Sequence, residues 1–264
     1  MKAPAQRSIG RLLGIMVLIV VAGIFIARSY YGNLNRSVDP RIQGARELYE
    51  RYDKEAASGD YYRIFELLDS ISLIYLETPH YINSFELGVL HNNQAAALLT
   101  LALYRDSIPV SRNPYYELLP DSLGSMAEQH ISSAIDLYEK WNERFLGKEK
   151  EQIRLEIQDE FLRGLESSPS DMFDKYLNNR VKEIENSLVE NHRRLSVAYT
   201  NLGLVCRLRE QYPEAVACYE KAMELWDRNL DAENNLNKLL GRPARKRNMI
   251  QKLFPPSKEL SSKK

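Results

Sequence analysis

An all-α fold is what this chain of 264 residues predicts, on three observations. Apolar side chains recur at three- and four-residue spacing from about residue 45 to residue 240, which is the period of a helix with one buried side. No run of β-branched residues alternates with polar ones between hairpin turns. Gly59-Asp60 and Thr78-Pro79 mark breaks between successive periodic runs.

The first element, residues 1–29, is expected to be a transmembrane helix. From Leu12 to Ala27 no side chain is polar, and Ile9 and Gly10 lengthen the run if Arg11 reaches up to the headgroups. Tyr30 and Tyr31 stand where aromatic residues anchor such a helix at the interface. A cleaved secretory signal shares the basic start and apolar run, but Phe25-Ile26-Ala27 lacks the small residues of a cleavage site. A buried core helix is the remaining reading. Neither cysteine ends the apolar run, which excludes a lipoprotein-type attachment. Basic residues flank both sides evenly, and the acid-free start favours a cytoplasmic amino terminus. The expected location is therefore a single-pass inner (cytoplasmic) membrane protein of a bacterium, its soluble body in the periplasm. The 36 basic and 36 acidic residues cancel overall, yet positions 29–237 carry 23 basic against 35 acidic residues. A body of about −12 is a poor match for nucleic acid, so none is expected as a partner.

Residues 30–40 read as a polar linker ending at Pro40, which suits a first helical turn capped by Asp39. Residues 41–147 read as helical hairpins. Their apolar sides run through Leu48, Tyr52 and Ala56, then Tyr61, Phe65, Leu68, Ser72 and Leu76, then Ala95, Leu98, Leu99 and Ala102. Gly59-Asp60 separates the first two helices and Thr78-Pro79 ends the second. Residues 105–121, with Pro109, Pro114 and Pro120, are the longest expected loop. The next helix passes through Met126, Ile131, Ala134, Leu137, Tyr138 and Trp141. Residues 148–190 form a charged helical pair: one member has a narrow stripe of Ile153, Ile157, Phe161 and Leu165. The other is capped at Ser168, with Pro169 in its first turn, and carries Phe173, Leu177, Val181, Ile184 and Leu188. No Gly or Pro interrupts the chain from there to Gly203, so this helix either runs on or bends sharply. Residues 243–264 are a basic tail, suited to a solvated end or to an anionic membrane.

Residues 191–242 hold the clearest internal signal. Ala198, Asn201 and Leu202 recur 34 residues later as Ala232, Asn235 and Leu236, and Val205 and Cys206 are answered by Leu239 and Leu240. With Tyr199, Leu202 and Gly203 on a first helix, Tyr212 at the turn, and Ala215, Tyr219 and Ala222 on a second, this stretch resembles the tetratricopeptide repeat family. Cys206 stands where the family usually has an aromatic residue. Asp227 stands where it often has proline, which leaves the chain direction after Trp226 less firmly set. The helix after Leu230 reads as a capping half-repeat stopped by Gly241. Weaker echoes lie at 91–99 with 127–141, and at 45–75.

The resemblance implies a right-handed helical-repeat solenoid whose first helices line a concave face that grips a peptide backbone or its terminal carboxylate. Thr200, Asn201, Leu204 and Arg207, then Asn234, Asn235 and Lys238, are the corresponding stripe, expected to be exposed. The candidate partner-binding residues are Asn201, Leu204, Arg207, Asn234 and Lys238. Catalysis is not expected: the chain has no phosphate loop, nucleophile elbow or HExxH, and none of His80, His91, His130 and His192 is paired at metal-ligand spacing. No cofactor, metal or small-molecule substrate is expected. Cys206 and Cys218 are equidistant from Tyr212, so antiparallel helices place them at one height, as a disulfide or as two buried thiols. The leading expectation is a membrane-tethered scaffold or adaptor for a protein or peptide partner. The alternatives are a small enzyme or enzyme subunit with its site at the 105–121 loop, and a structural envelope protein self-associating through the 148–190 helices.

Overall fold

The computed structural model describes residues 38–165 and 170–246. The expected membrane helix, most of the linker, the caps at Ser168 and Pro169 and the tail from residue 247 lie outside the described residues. Within them every regular element is helical: α1 Gln43–Ser58, α2 Tyr61–Glu77, α3 Phe85–Leu103, α4 Pro120–Phe145, α5 Lys150–Leu162, α6 Phe173–Leu208, α7 Tyr212–Leu225 and α8 Leu230–Leu239.

Local chemistry sets most borders where the sequence put them. The Asp39 carboxylate accepts from the Arg41 amide and opens a 3-10 turn over Pro40–Ile42 that feeds α1. Gly59 ends α1 in the left-handed region at φ 71°, and Asp60 then accepts from the Arg63 amide to start α2. Gly241, at φ 67°, follows α8. On α2 the buried side is Ile64, Phe65, Leu68, Ile71 and Tyr75, whereas Leu76, expected on that side, is exposed. The stripe is set by positions 64, 68, 71 and 75, and the residue after 75 lies roughly 100° round the helix.

Successive hairpins α1/α2, α3/α4 and α6/α7 stack side by side, with α8 closing the end. Two of them are built on the same close approach. A Cβ at Gly203 would lie 2.5 Å from the Tyr219 ring, and a Cβ at Gly88 would lie 2.7 Å from the Tyr138 ring. The same close approach therefore recurs in α3/α4 and α6/α7, with the 105–121 loop and longer helices lying between the glycine and the tyrosine of the first.

First helices also bond to one another by a repeated contact. Asn201 on α6 donates to Asn92 on α3, four residues after Gly88. Arg207, four residues after Gly203, donates to Asn235 on α8. First helices α3, α6 and α8 pack in sequence, while second helices make no comparable contact. The row of first helices is therefore the tighter, inner side of the stack.

One feature departs from a simple repeat. Helix α6 runs unbroken for 36 residues and carries the first helix of the last hairpin back across the border expected at residue 191. Its amino-terminal half packs on α5, whose Ile153, Ile157 and Phe161 are fully buried as the stripe predicts. There Arg180 is almost completely buried. Its guanidinium donates to Glu86 at 2.5 Å and to His80 Nε2 at 3.0 Å, and lies 4.4 Å from the centre of the Tyr81 ring. Because Arg180 donates into Nε2, the His80 proton sits on Nδ1, 3.5 Å from Glu160 of α5. Burial holds His80 down to about 4, with Glu160 opposing that shift. Burial pushes the Glu86 carboxyl up, but Arg180 overrides it and the net shift is downward. Arg41 closes the same end of the molecule, donating to the carbonyls of Phe161 and Arg163 while paired to Asp39 at 2.7 Å.

Candidate partner-binding face

The inner side of the stack presents α1, α3, α6 and α8, and the expected partner-binding residues fall on it unevenly. Thr200 and Asn201 are buried rather than exposed: the Thr200 hydroxyl donates to the Ser196 carbonyl, and Asn201 is held by Asn92. Leu204 is half-buried against the main core. Arg207 is engaged with Asn235, and Asn234 bonds both the amide and the carbonyl of Arg245, holding the chain that leaves α8. Lys238 is exposed. Helical period placed these residues on one side of their helices, but neighbouring first helices cover part of that side, which one isolated repeat cannot reveal.

Further along the same side lies a group that the sequence reading did not collect. Asn93 of α3 donates to the Tyr49 hydroxyl of α1 at 2.8 Å. Tyr49 in turn meets Tyr52 edge-on, with ring centres 5.3 Å apart. Arg194 of α6 is half-buried, and its Nε is buried without a hydrogen-bond partner in the protein. The Tyr138 ring passes over Gly88, and its hydroxyl is also buried and unpartnered. Arg194 is near enough to draw down the pKa of both Tyr49 and Tyr138, although burial dominates and raises each. Four elements thus converge, and no sequence motif links positions 49, 93, 138 and 194. The only hint was Tyr138, four residues after Ala134, in the place Tyr219 takes after Ala215.

Two other expectations meet the structure here. The 105–121 loop folds onto itself: Arg105 donates to the carbonyls of Tyr116 and Leu118, buried Asn113 accepts from the Tyr115 amide, and the Tyr115 ring meets Phe65 edge-on. Arg112 ties the loop to the end of α1 by donating to the Ser58 carbonyl. His91 and His130, which show no metal-ligand spacing in the sequence, face each other with Nδ1 atoms 2.9 Å apart, and burial lowers the pKa of both. They are 39 residues apart, so the inserted loop hid the contact. Among the described residues no three His, Cys, Asp or Glu side chains are grouped to hold a metal ion. Cys206 and Cys218 are free thiols, and Cys218 is pushed up to about 12, chiefly by burial and then by Cys206.

The hairpin α6/α7 carries its own identification. Residues 196–229 match the tetratricopeptide repeat family model. The match ends at Asn229, which does what the missing proline usually does. This residue is buried, caps α8 by accepting from the Ala232 amide, and donates to Ser196 and Thr200 on α6. The chain direction after Trp226 is therefore firmly set, contrary to the expectation from Asp227. No curated protein and no solved structure matches the chain. A tetratricopeptide repeat within an all-helical body indicates a protein-interaction scaffold.

Proposed function

We propose that this protein is a membrane-tethered tetratricopeptide-repeat adaptor that holds a protein or peptide partner on its inner face. The carrying observation is the repeated first-helix contact, Asn92 with Asn201 and Arg207 with Asn235, which joins successive helices into one continuous surface. The apolar run from Leu12 to Ala27 supplies the tether, and the body is proposed to lie in the periplasm beside a bacterial inner membrane. Stacked repeats favour this role because they offer extended surface at little cost in fold complexity.

The test places a photo-crosslinking residue in the full-length chain at Lys238, exposed on α8, and separately at Glu220, exposed on α7. Adducts to one discrete partner from position 238 and none from 220 are expected. Equal labelling from both positions, or none from either, would remove the adaptor reading. Removing residues 1–29 is expected to release the protein from the membrane fraction, and retention there would remove the tether. Protease cleavage of the body in spheroplasts but not in intact cells is expected for the periplasmic placement, and protection in both would place it in the cytoplasm.

A further inference from the structure

We propose that residues 242–246 are a built-in competitor, occupying on α8 the place that an extended, basic segment of the partner takes. The proposal rests on the adaptor reading and adds how the inner face is regulated and what chemistry it accepts. Among the described residues no helix follows α8; the chain reverses instead. The Gly241 amide donates to the Lys238 carbonyl at 3.4 Å and the Arg242 amide to the Asn237 carbonyl at 2.7 Å, with Gly241 at φ 67°. This left-handed stop turns the chain back along the helix. Asn234 lies about 10 Å back from residue 241 at 1.5 Å per residue, and the few residues up to 245 cover that distance only when nearly extended.

Arg245 is gripped there by its backbone. Its amide donates to Asn234 Oδ1 at 2.7 Å, and its carbonyl accepts from Asn234 Nδ2 at 3.1 Å. One side-chain amide thus serves both main-chain groups of one residue, as the neighbouring strand does in a hydrogen-bonded β pair. Such a contact reads an extended backbone whatever side chain it carries. Preference for a base comes from Glu233, whose carboxylate accepts from the Arg245 guanidinium at 2.9 Å.

The grip is open to competition. Residues 242–246 are all exposed, so the segment adds nothing to the core. The Arg245 side chain is 67% exposed, which leaves its ion pair screened by solvent. Arg207 with Asn235, the neighbouring contact between helices, is part-buried by contrast. Charge favours the same class of occupant: positions 29–237 carry 23 basic against 35 acidic residues, while residues 242–246 hold Arg242, Arg245 and Lys246 and no acid. Tethering gives this segment a high effective concentration at Asn234, which a partner segment has to overcome.

Binding is measured by fluorescence anisotropy on the full-length protein in nanodiscs, with a peptide copying residues 241–248 and blocked at both ends as the probe. Arg245→Pro removes the amide donor and the guanidinium from the tail and leaves α8 untouched. The peptide is expected to bind this variant at least threefold more tightly than the parent chain. Adding Asn234→Ala to the variant is expected to weaken binding by about tenfold, the loss of two hydrogen bonds. A peptide N-methylated at its copy of the Arg245 amide keeps its charge and is expected to bind about three- to tenfold more weakly, as is one with Glu in place of that Arg. Glu220→Gln, exposed on α7, is the control that leaves binding unchanged.

Equal affinity for the parent and Arg245→Pro, binding to neither, undiminished binding after Asn234→Ala, or indifference to N-methylation would each overturn the competitor. A clearly lower melting temperature in Arg245→Pro would also overturn it, by making the segment a structural cap. Crosslinking from position 238 separates the two readings. The adduct yield is expected to rise at least threefold in Arg245→Pro; an unchanged yield removes the competitor and leaves the adaptor standing, and a parent chain that gives no adduct removes the adaptor itself.

Discussion

Gly88 and Gly203 determine how closely the helices of two hairpins approach, because in each case the space a methyl group would take is filled by a tyrosine ring. Both rings belong to fully buried side chains that cannot swing aside freely. Gly203→Ala and Gly88→Ala are each expected to cost about 1–3 kcal/mol in urea unfolding, the usual range for overpacking. A gain in stability at either position would mean that the hairpins are looser than described. Gly203 was legible in the sequence because it sits beside Leu202 in a recurring pattern. Gly88 was not, since its partner Tyr138 is 50 residues away across an insertion. Asn229 was missed for a different reason: an asparagine in a turn is unremarkable until its amide is seen to bridge two hydroxyls.

At the scale of elements, helix α6 settles what the absence of Gly and Pro between Pro169 and Gly203 had left open. Its amino-terminal half buries Leu177, Val181, Ile184 and Leu188, the stripe read from the sequence, and its second half is the first helix of the matched repeat. Continuity follows from the overlap of the two stripes along one helix side, with Asn191 bonding the Tyr138 carbonyl and Asn142 midway. Glu190→Pro removes a helical hydrogen bond and clashes with the preceding turn, and is expected to cost about 3 kcal/mol or more, whereas Glu190→Ala changes stability by less than about 0.5 kcal/mol. Equal effects of the two would show that the helix already bends there. The exposed stripe was overread because period alone says which side a residue occupies. Whether a neighbouring helix covers that side depends on contacts such as Asn92 with Asn201, 109 residues apart.

For the whole molecule, Arg180 joins α6, the α2–α3 connection and the start of α3 in one buried network. Arg180→Ala leaves Glu86 and His80 without their donor, and is expected to cost about 3–5 kcal/mol in equilibrium unfolding. A cost under 1 kcal/mol would show the network to be incidental. The same network makes stability depend on pH. The His80 pKa is about 4 in the folded protein against an ordinary 6.5, so the folded state resists taking up the proton that the unfolded chain accepts. Its contribution is fully present above pH 6.5 and is lost progressively as pH falls toward 4, by roughly 3 kcal/mol at most. His91 and His130, also lowered, act in the same direction. Unfolding free energy measured from pH 8 to pH 4 is expected to fall in the parent chain and to fall less steeply in His80→Asn. Parallel curves would assign the acid sensitivity elsewhere. The all-helical class and several of its borders, though not the one expected at residue 191, could be read from period and turn residues, but this network could not, because His80, Glu86, Glu160 and Arg180 come from four separate elements.

The uninterrupted 36 residues of α6 also have a mechanical meaning. At 1.5 Å per residue the helix forms a rod of about 54 Å, anchored at one end by α5 and Arg180 and carrying the last hairpin at the other. A load applied at the α5 end is transmitted along that rod without an intervening joint, so the last hairpin keeps a set distance from the Arg180 network.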